Sequence, residues 1–600
     1  MKSMHKNGLD RAIGKAEVWQ PMTRQKIAIL AALALGISSA FGQQTGKGPD
    51  TLNVIVRFRT SPDHAGFSRF LNHGALHHRD FKSIGASLFT INTRDLNLLA
   101  SDPDVLSLSI DRPIRSTAYN GAPDYGWMTA LKVANAGDQL PWDGTGVGVA
   151  VIDSGISNVD QMNRDLQTST ALSRVVYSES FVPGDASVSD SYGHGTHVAG
   201  LIAGNGAGSS GSRDDYKIRG IAANVNLINL RVLDAHGASS DSQVIAAIER
   251  AIQIKDQFNI RVINLSLGRP IVESYATDPL CLAVEQAWKA GIVVVVAAGN
   301  DGRNNSAGTY GYASINAPGN DPYVITVGAM NTVDTADRSD DKVTSYSSKG
   351  PSALDHFVKP DLVAPGNQII SLRQPGSTLD VEYPQNQVAK SVYQETDNQT
   401  GSEYFQLSGT SMATPMVAGA AALLLQRDPS LTPETVKARL MKTASKFPQM
   451  TSSVTDPVTG EIYRSQYDMF TIGAGYLDVQ AALANSDVAT AGTLSPVAVP
   501  DPNNSNVYMV AADSTIWGSS MIWGCSTIWG SSTIWGSSTI WGSSTIWGSS
   551  TIWGSSTIWG SSTIWGSSTI WGSDSSTIWG SDSSTIWGSS TDNIAIRGEN

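Results

Sequence analysis

Continuous apolar runs alternate with helix-spaced segments through the middle of the chain. Gly146–Ile152 is one such run and ends at Asp153; Val225–Leu233, Val262–Leu267, Ile292–Ala298 and Val324–Val327 are others. Runs of this length without polar alternation predict strands buried on both faces. Asp241–Gln257 and Leu282–Lys289, between them, carry helical spacing. Strands alternating with helices predict an α/β domain over residues 126–485, three-layered, with a mostly parallel central sheet. In such sheets functional groups gather beyond the carboxyl ends of strands, where Asp153 and Asn300 stand. Met416–Gln426 is almost wholly apolar and predicts a buried helix with Pro415 in its first turn, where a missing N–H costs nothing. Pro433–Thr443 predicts a charged helix. Ser371–Gln406 reads as a long inserted loop, either narrowing a cleft or running over the surface.

Two flanking regions have other periods. In 51–116, strand alternation over Thr51–Phe58 is followed by helical spacing over Ala65–His73. Strands follow at Leu76–Ile84 and Ser87–Asn92, a short helix at Thr93–Leu99 and a strand at Val105–Ile110. This β-α-β-β-α-β order predicts a small α+β domain. Residues 486–513 read as a Pro/Asn/Ser linker. Over 514–590 the unit Thr-Ile-Trp-Gly-Ser-Ser recurs, with Trp517, Trp523 and Trp529 opening a six-residue period. An even period puts every Trp on one face of an extended strand, which fits a β-solenoid; a low-complexity tail with little fixed structure is the competing reading.

Composition changes the picture only at the margins. Six hundred residues exceed one core. A net charge of −12 weighs against nucleic acid as a partner. Cys281 and Cys525 alone make neither a disulfide framework nor a metal cluster. Within 1–42, Arg24 and Lys26 precede the apolar run Ile27–Leu35 and then Gly36–Gly42. That pattern predicts a signal peptide cleaved near Ala40 or Gly42, too short to span a membrane, with Met22 an alternative start. The predicted location is secreted or at the exterior of the cell envelope.

Three stretches carry chemistry. Val149–Gly155 is a buried strand ending in the carboxylate of Asp153. Gly193–Gly200 sets His194 at a Gly-rich helix start. Gly409–Pro415 sets Ser411 at or ahead of a helix N-terminus, where backbone N–H groups and the positive dipole end favour a developing anion. Singly, each has a structural reading: Ser411 as a helix cap, Asp153 as a turn residue, His194 as a core histidine. Together they supply a nucleophile, a general base and the carboxylate that orients the base.

Val151-Ile152-Asp153-Ser154-Gly155, His194-Gly195-Thr196-His197-Val198-Ala199-Gly200 and Gly409-Thr410-Ser411-Met412-Ala413-Thr414-Pro415 stand in the order Asp, His, Ser. In all three blocks the chain resembles the subtilisin-like serine proteases, from about Trp127 to Asn485. The resemblance implies catalytic Asp153, His194 and Ser411, and an exported serine endopeptidase acting on proteins or peptides through an acyl-enzyme. Ala297-Ala298-Gly299-Asn300 matches the segment whose asparagine donates to the oxyanion, so Asn300 takes that role. Ser266, Leu267 and Gly268 match the segment that pairs with substrate backbone; Gly237–Ser239 is a weaker match to the opposite edge, and Asn316–Gly319 is expected near the main side-chain pocket. Residues 51–116 resemble the family's propeptide, implying a zymogen cut by itself between about Arg115 and Tyr125, although a retained small domain is the alternative. No cofactor is expected for the chemistry. Structural calcium fits the family, with no site located and Asp165 and Asp190 as candidate ligands. His197 is expected to be structural. The competing functions are a protease confined to itself or one partner, and a surface-binding protein whose Trp repeat contacts glycan or cell surface.

Overall fold

The computed structural model describes residues 51–59, 65–116, 134–135, 138–139, 141–157, 164–168, 170–209, 218–305, 308–333, 335, 337–393, 402–447, 451–456, 460–489, 494–500 and 507–510. The apolar segment before Gly42 and the Trp repeat lie outside them. The described residues form two compact units, one of 51–80 and 87–110, the other of 81–86 and those from Asp111 onward.

The first unit contains β1 (Thr51–Phe58), α1 (Ala65–Asn72), β2 (Leu76–Phe81), β3 (Ala86–Asn92), α2 (Leu96–Ala100) and β4 (Val105–Ile110), in the predicted β-α-β-β-α-β order. The strands lie in the order β2-β3-β1-β4. Alternate residues Val54, Val56 and Phe58 of β1, with Phe89 and Ile91 of β3, pack on Phe70 and Leu99 from the helices. The strand expected to reach Ile84 stops at Phe81, because Lys82–Ile84 close into a 3₁₀ turn ending at Gly85.

The second unit begins with β5 (Pro113–Ser116), β6 (Gly148–Asp153), β7 (Val175–Ser180), α3 (His194–Ala203), β8 (Asn226–Arg231), β9 (Ala238–Ser240) and α4 (Asp241–Phe258). It continues with β10 (Ile260–Leu265), β11 (Leu267–Gly268), α5 (Pro279–Lys289), β12 (Val293–Ala297), β13 (Ile325–Asn331), β14 (Lys342–Val343) and β15 (Leu362–Pro365). Then come β16 (Ile369–Leu372), β17 (Tyr404–Leu407), α6 (Thr410–Arg427) and α7 (Pro433–Thr443). An eight-stranded sheet runs β14-β13-β12-β10-β6-β8-β7, with β15 paired to β13. Every pairing in it is parallel except β13 with β14. After β6 the chain builds one side of the sheet; after β8 it crosses to the other, next to β6 again. That reversal makes the carboxyl ends of β6 and β10 the switch point, where connections diverge and leave a crevice. Asp153 closes β6 and Ser266 follows β10 there.

Helix α6 is buried along nearly its whole length and packs against β10, β12, β13 and α3. It begins at Thr410, not near Met416, so Pro415 lies in its interior. An interior proline withholds the N–H that would bond the carbonyl four residues back. That carbonyl belongs to Ser411, and the Ser266 hydroxyl donates to it instead at 2.9 Å.

Two further expectations change. The Ser371–Gln406 insertion is the connection between β16 and β17, which pair antiparallel, and it includes a helix at Thr378–Glu382. The backbone N–H groups of Thr378 and Leu379 donate to the carbonyls of Ser191 and Tyr192, just ahead of His194. Residues 494–500, read as linker, are docked: Ser495 Oγ donates to Asp361 at 2.6 Å and Val358 N–H to Pro496 O at 2.7 Å. Asp361 is buried between the ammonium groups of Lys359 and Lys437. Among the described residues no helix is long and apolar enough to cross a membrane.

Candidate active site

The strand–turn–helix path that brings Asp153 to His194 depends on close backbone approach. A Cβ at Gly195 would stand 2.3 Å from the carbonyl oxygen of Gly155 and 3.2 Å from Cβ of Asp153, so only glycine fits beside His194. Asp190 pins the start of α3 by accepting from the N–H groups of Gly193 (2.6 Å) and Thr196 (2.7 Å), and it also accepts from Ser154 Oγ (2.7 Å). His194, first residue of α3, then meets Asp153 with Nδ1 2.7 Å from Oδ1, both side chains buried. The same Asp153 oxygen accepts from Ser154 N–H at 2.7 Å. An imidazole donating from Nδ1 presents Nε2 as its acceptor, the nitrogen a general base uses.

Ser411 is the second residue of α6, so it is not the helix cap. Gly409 holds that position with φ 141°, a conformation that strains other residues. The Ser411 hydroxyl donates to the carbonyl of Ser266 at 2.9 Å, while the Ser266 hydroxyl donates to the carbonyl of Ser411. The structure therefore pairs Asp153 with His194 and turns the Ser411 hydroxyl towards the segment after β10. Among the described residues nothing hydrogen-bonds His194 Nε2. Asn300 follows β12, and its Oδ1 accepts from both N–H and Oγ1 of Thr410 at 3.0 Å. With its oxygen held by Thr410, its amide nitrogen is oriented the opposite way.

Leu267 and Gly268 form β11, one edge of a three-stranded sheet, and β9 is the other. Between them lies β5, antiparallel to both: Arg115 is opposite Ala238 on one side and Gly268 on the other, and Ser116 N–H donates to Gly237 O at 3.1 Å. The chain's own segment thus occupies the slot assigned to a substrate strand.

The candidate calcium ligands do not fit a metal site. Asp165 accepts from Gly208 N–H and Tyr404 OH, both at 2.6 Å. Asp190 is engaged as described, and burial pushes its carboxyl up. No group of three or more His, Cys, Asp or Glu side chains able to hold a metal ion occurs among the described residues.

His197 lies one turn after His194. Its Nε2 is 3.1 Å from the carbonyls of both Ile369 and Phe405, two acceptors, so Nε2 carries the proton and joins α3 to β16 and β17. Burial first, then the nearby His194, hold the ring down to about 3. An unfolded histidine takes up its proton near pH ~6.5, so stability that depends on the neutral ring is complete above that pH and drains as pH falls towards 3. The melting temperature of the Ser411→Ala protein is expected to fall between pH 6.5 and 4, and to fall less steeply when His197→Gln is added. Equal slopes would rule out His197 as the source.

Of two further features, the first was expected only as a pocket near Asn316–Gly319 and the second not at all. Asp301, Asn304, Tyr312, Asn316, Pro270 and Ile271 line a cavity of about 270 Å³. Burial raises the Asp301 carboxyl and the Asn316 side chain hydrogen-bonds it. The available signal was a carboxylate directly after Asn300. The second feature is Arg269, directly after β11, whose guanidinium is buried against two carboxylates.

The family model described as "Subtilase family" matches residues 144–468. Serine protease AprX of Bacillus subtilis (strain 168) is 40% identical over 323 residues, 53% of this chain and 65% of that protein. This chain therefore spans about two thirds of that relative's length. Subtilisin E of the same strain is 32% identical over 428 residues, 70% of this chain and 93% of that protein. Among solved structures, fervidolysin from Fervidobacterium pennivorans, titled a keratinolytic enzyme related to subtilisin, shares the fold with a TM-score of 0.52 at 20% identity, over 78% of this chain and 66% of that one.

Proposed function

Because the chain belongs to the subtilase family and is a subtilisin-like serine peptidase, we propose that Asp153, His194 and Ser411 carry its reaction. The observation that bears most weight is the buried 2.7 Å contact between Asp153 Oδ1 and His194 Nδ1. A substrate strand enters between β9 and β11, as β5 does. Ser411 Oγ turns from Ser266 to His194 Nε2, gives up its proton and bonds the substrate carbonyl carbon. The developing oxyanion is met by the amide of Asn300 and by the N-terminal end of α6. Collapse breaks the C–N bond, with the proton on His194 passing to the leaving amine. Water then attacks the acyl-enzyme, with His194 as base. Asp153 keeps the ring in the needed tautomer and offsets its charge throughout.

The protein is made as a zymogen in this reading. Support comes from the β-α-β-β-α-β unit, from β5 in the slot, and from an alignment to subtilisin E longer than the family match. Cleavage falls between about Arg115 and Tyr125. Export follows from the N-terminal pattern, and contact with glycan or cell surface is assigned to the Trp repeat. The test is incubation of the purified full-length chain with casein. A shortened form with a new N-terminus in that window, together with casein hydrolysis, is expected. A precursor that persists with casein intact would sink the proposal.

A further inference from the structure

The two edges that flank β5 do not bond to each other. Once a strand leaves the slot, β9 and β11 stand two strand spacings apart, roughly 9–10 Å, with unpaired backbone groups facing each other. Something outside the slot must then hold its width.

Arg269 follows Gly268, the last residue of β11, and Asp241 follows Ser240, the last residue of β9. The two side chains meet: Arg269 Nε donates to Asp241 Oδ1 at 2.7 Å. The same guanidinium grips Asp278, the cap of α5, through Nη2 at 2.7 and 2.8 Å, and reaches Pro270 O through Nη1 at 3.3 Å. All three charged side chains are buried. The Arg269 backbone exchanges hydrogen bonds with Ala317 at 3.0 and 2.7 Å, so the residue is fixed from behind. Asp241 N–H donates to Arg112 O, just ahead of β5, at 2.9 Å. One planar, forked cation therefore joins the ends of both edge strands to a rigid helix start, a geometry that a lysine ammonium does not reproduce.

We propose that Arg269 is a positioning residue that sets the width of the substrate slot by bridging Asp241 and Asp278. The inference rests on the reading of β9 and β11 as substrate-pairing edges. A slot held open at the right width spares an incoming peptide the cost of ordering it. The benefit grows with the number of backbone pairs the substrate makes, and it is binding that ground state and transition state share. Its loss therefore raises KM and spares kcat.

The test compares full-length protein, allowed to process, with Arg269→Lys and Asp241→Ala versions. The second leaves Arg269 paired with Asp278 and severs only the tie across the slot, so it serves where the first fails to fold. Each is assayed on a tetrapeptide p-nitroanilide and on a single-residue ester too short to pair with both edges. KM for the tetrapeptide is expected to rise about tenfold more than KM for the ester, with kcat for the tetrapeptide within about twofold of the parent. Equal losses on both substrates, or a fall confined to kcat, would overturn the brace. Failure of the underlying reading looks different: the parent itself would show no preference for the longer substrate.

Discussion

Ser411→Ala is expected to lower kcat by about six orders of magnitude, the loss known for the nucleophile of subtilisin itself, and to leave the precursor uncut. The geometry makes the substitution a clean one. Ser411 contributes its hydroxyl to the carbonyl of Ser266 and its backbone carbonyl to the hydroxyl of Ser266. Alanine removes the first bond and keeps the second, so α6 stays tied to the loop after β10. The buried Ser266 carbonyl loses a donor, at a cost of about 1–3 kcal/mol. Loss of activity with a folded protein is thus the predicted pair of results, read by peptide-anilide rates beside a thermal melt. A rate within about tenfold of the parent would remove Ser411 from the chemistry.

Asp153→Asn is expected to lower kcat by about four orders of magnitude with the fold intact. Asp153 Oδ1 accepts from both Ser154 N–H and His194 Nδ1, whereas Oδ2 is buried with no hydrogen-bond partner among the described residues. An asparagine has two ways to sit there. With its oxygen in place of Oδ1 it buries an unpaired NH₂ and gives the ring no charge to lean on. Flipped, it presents NH₂ to Nδ1, which forces the proton onto Nε2 and leaves no base facing Ser411. Either way the imidazolium that must form loses its partner. The measurement is kcat and KM on one peptide substrate, where KM should hardly move. A decline smaller than about tenfold would mean that His194 is oriented by other contacts.

The candidate site was more legible in the sequence than the scaffolding around it. Asp153 announces itself by ending a run of apolar residues, and His194 and Ser411 by small residues at helix starts, because close backbone approach requires them. The beginning of α6 did not announce itself. Pro415 reads locally as a first-turn residue, and what permits it deeper in the helix is a hydroxyl 145 residues upstream in the chain. The same holds for Ser495 on Asp361 and for Arg269 on Asp241. Long-range pairing of buried polar groups leaves no periodic trace. Asp165 and Asp190 show the same limit, since a carboxylate engaged by backbone N–H groups and one free to take a cation look alike in a sequence.

The interior proline of α6 has a mechanical consequence. Ser266 adjoins β11, the edge proposed to pair with a substrate backbone, and its hydroxyl holds the Ser411 backbone carbonyl, a bond that stays when the Ser411 side chain turns to His194. In the proposed reaction, nucleophile and substrate are then gauged from one reference point. An uninterrupted helix would have spent the Ser411 carbonyl on its own N–H ladder and left the serine indexed to the helix alone. The proline trades one internal bond for a tether to the edge proposed to pair with substrate.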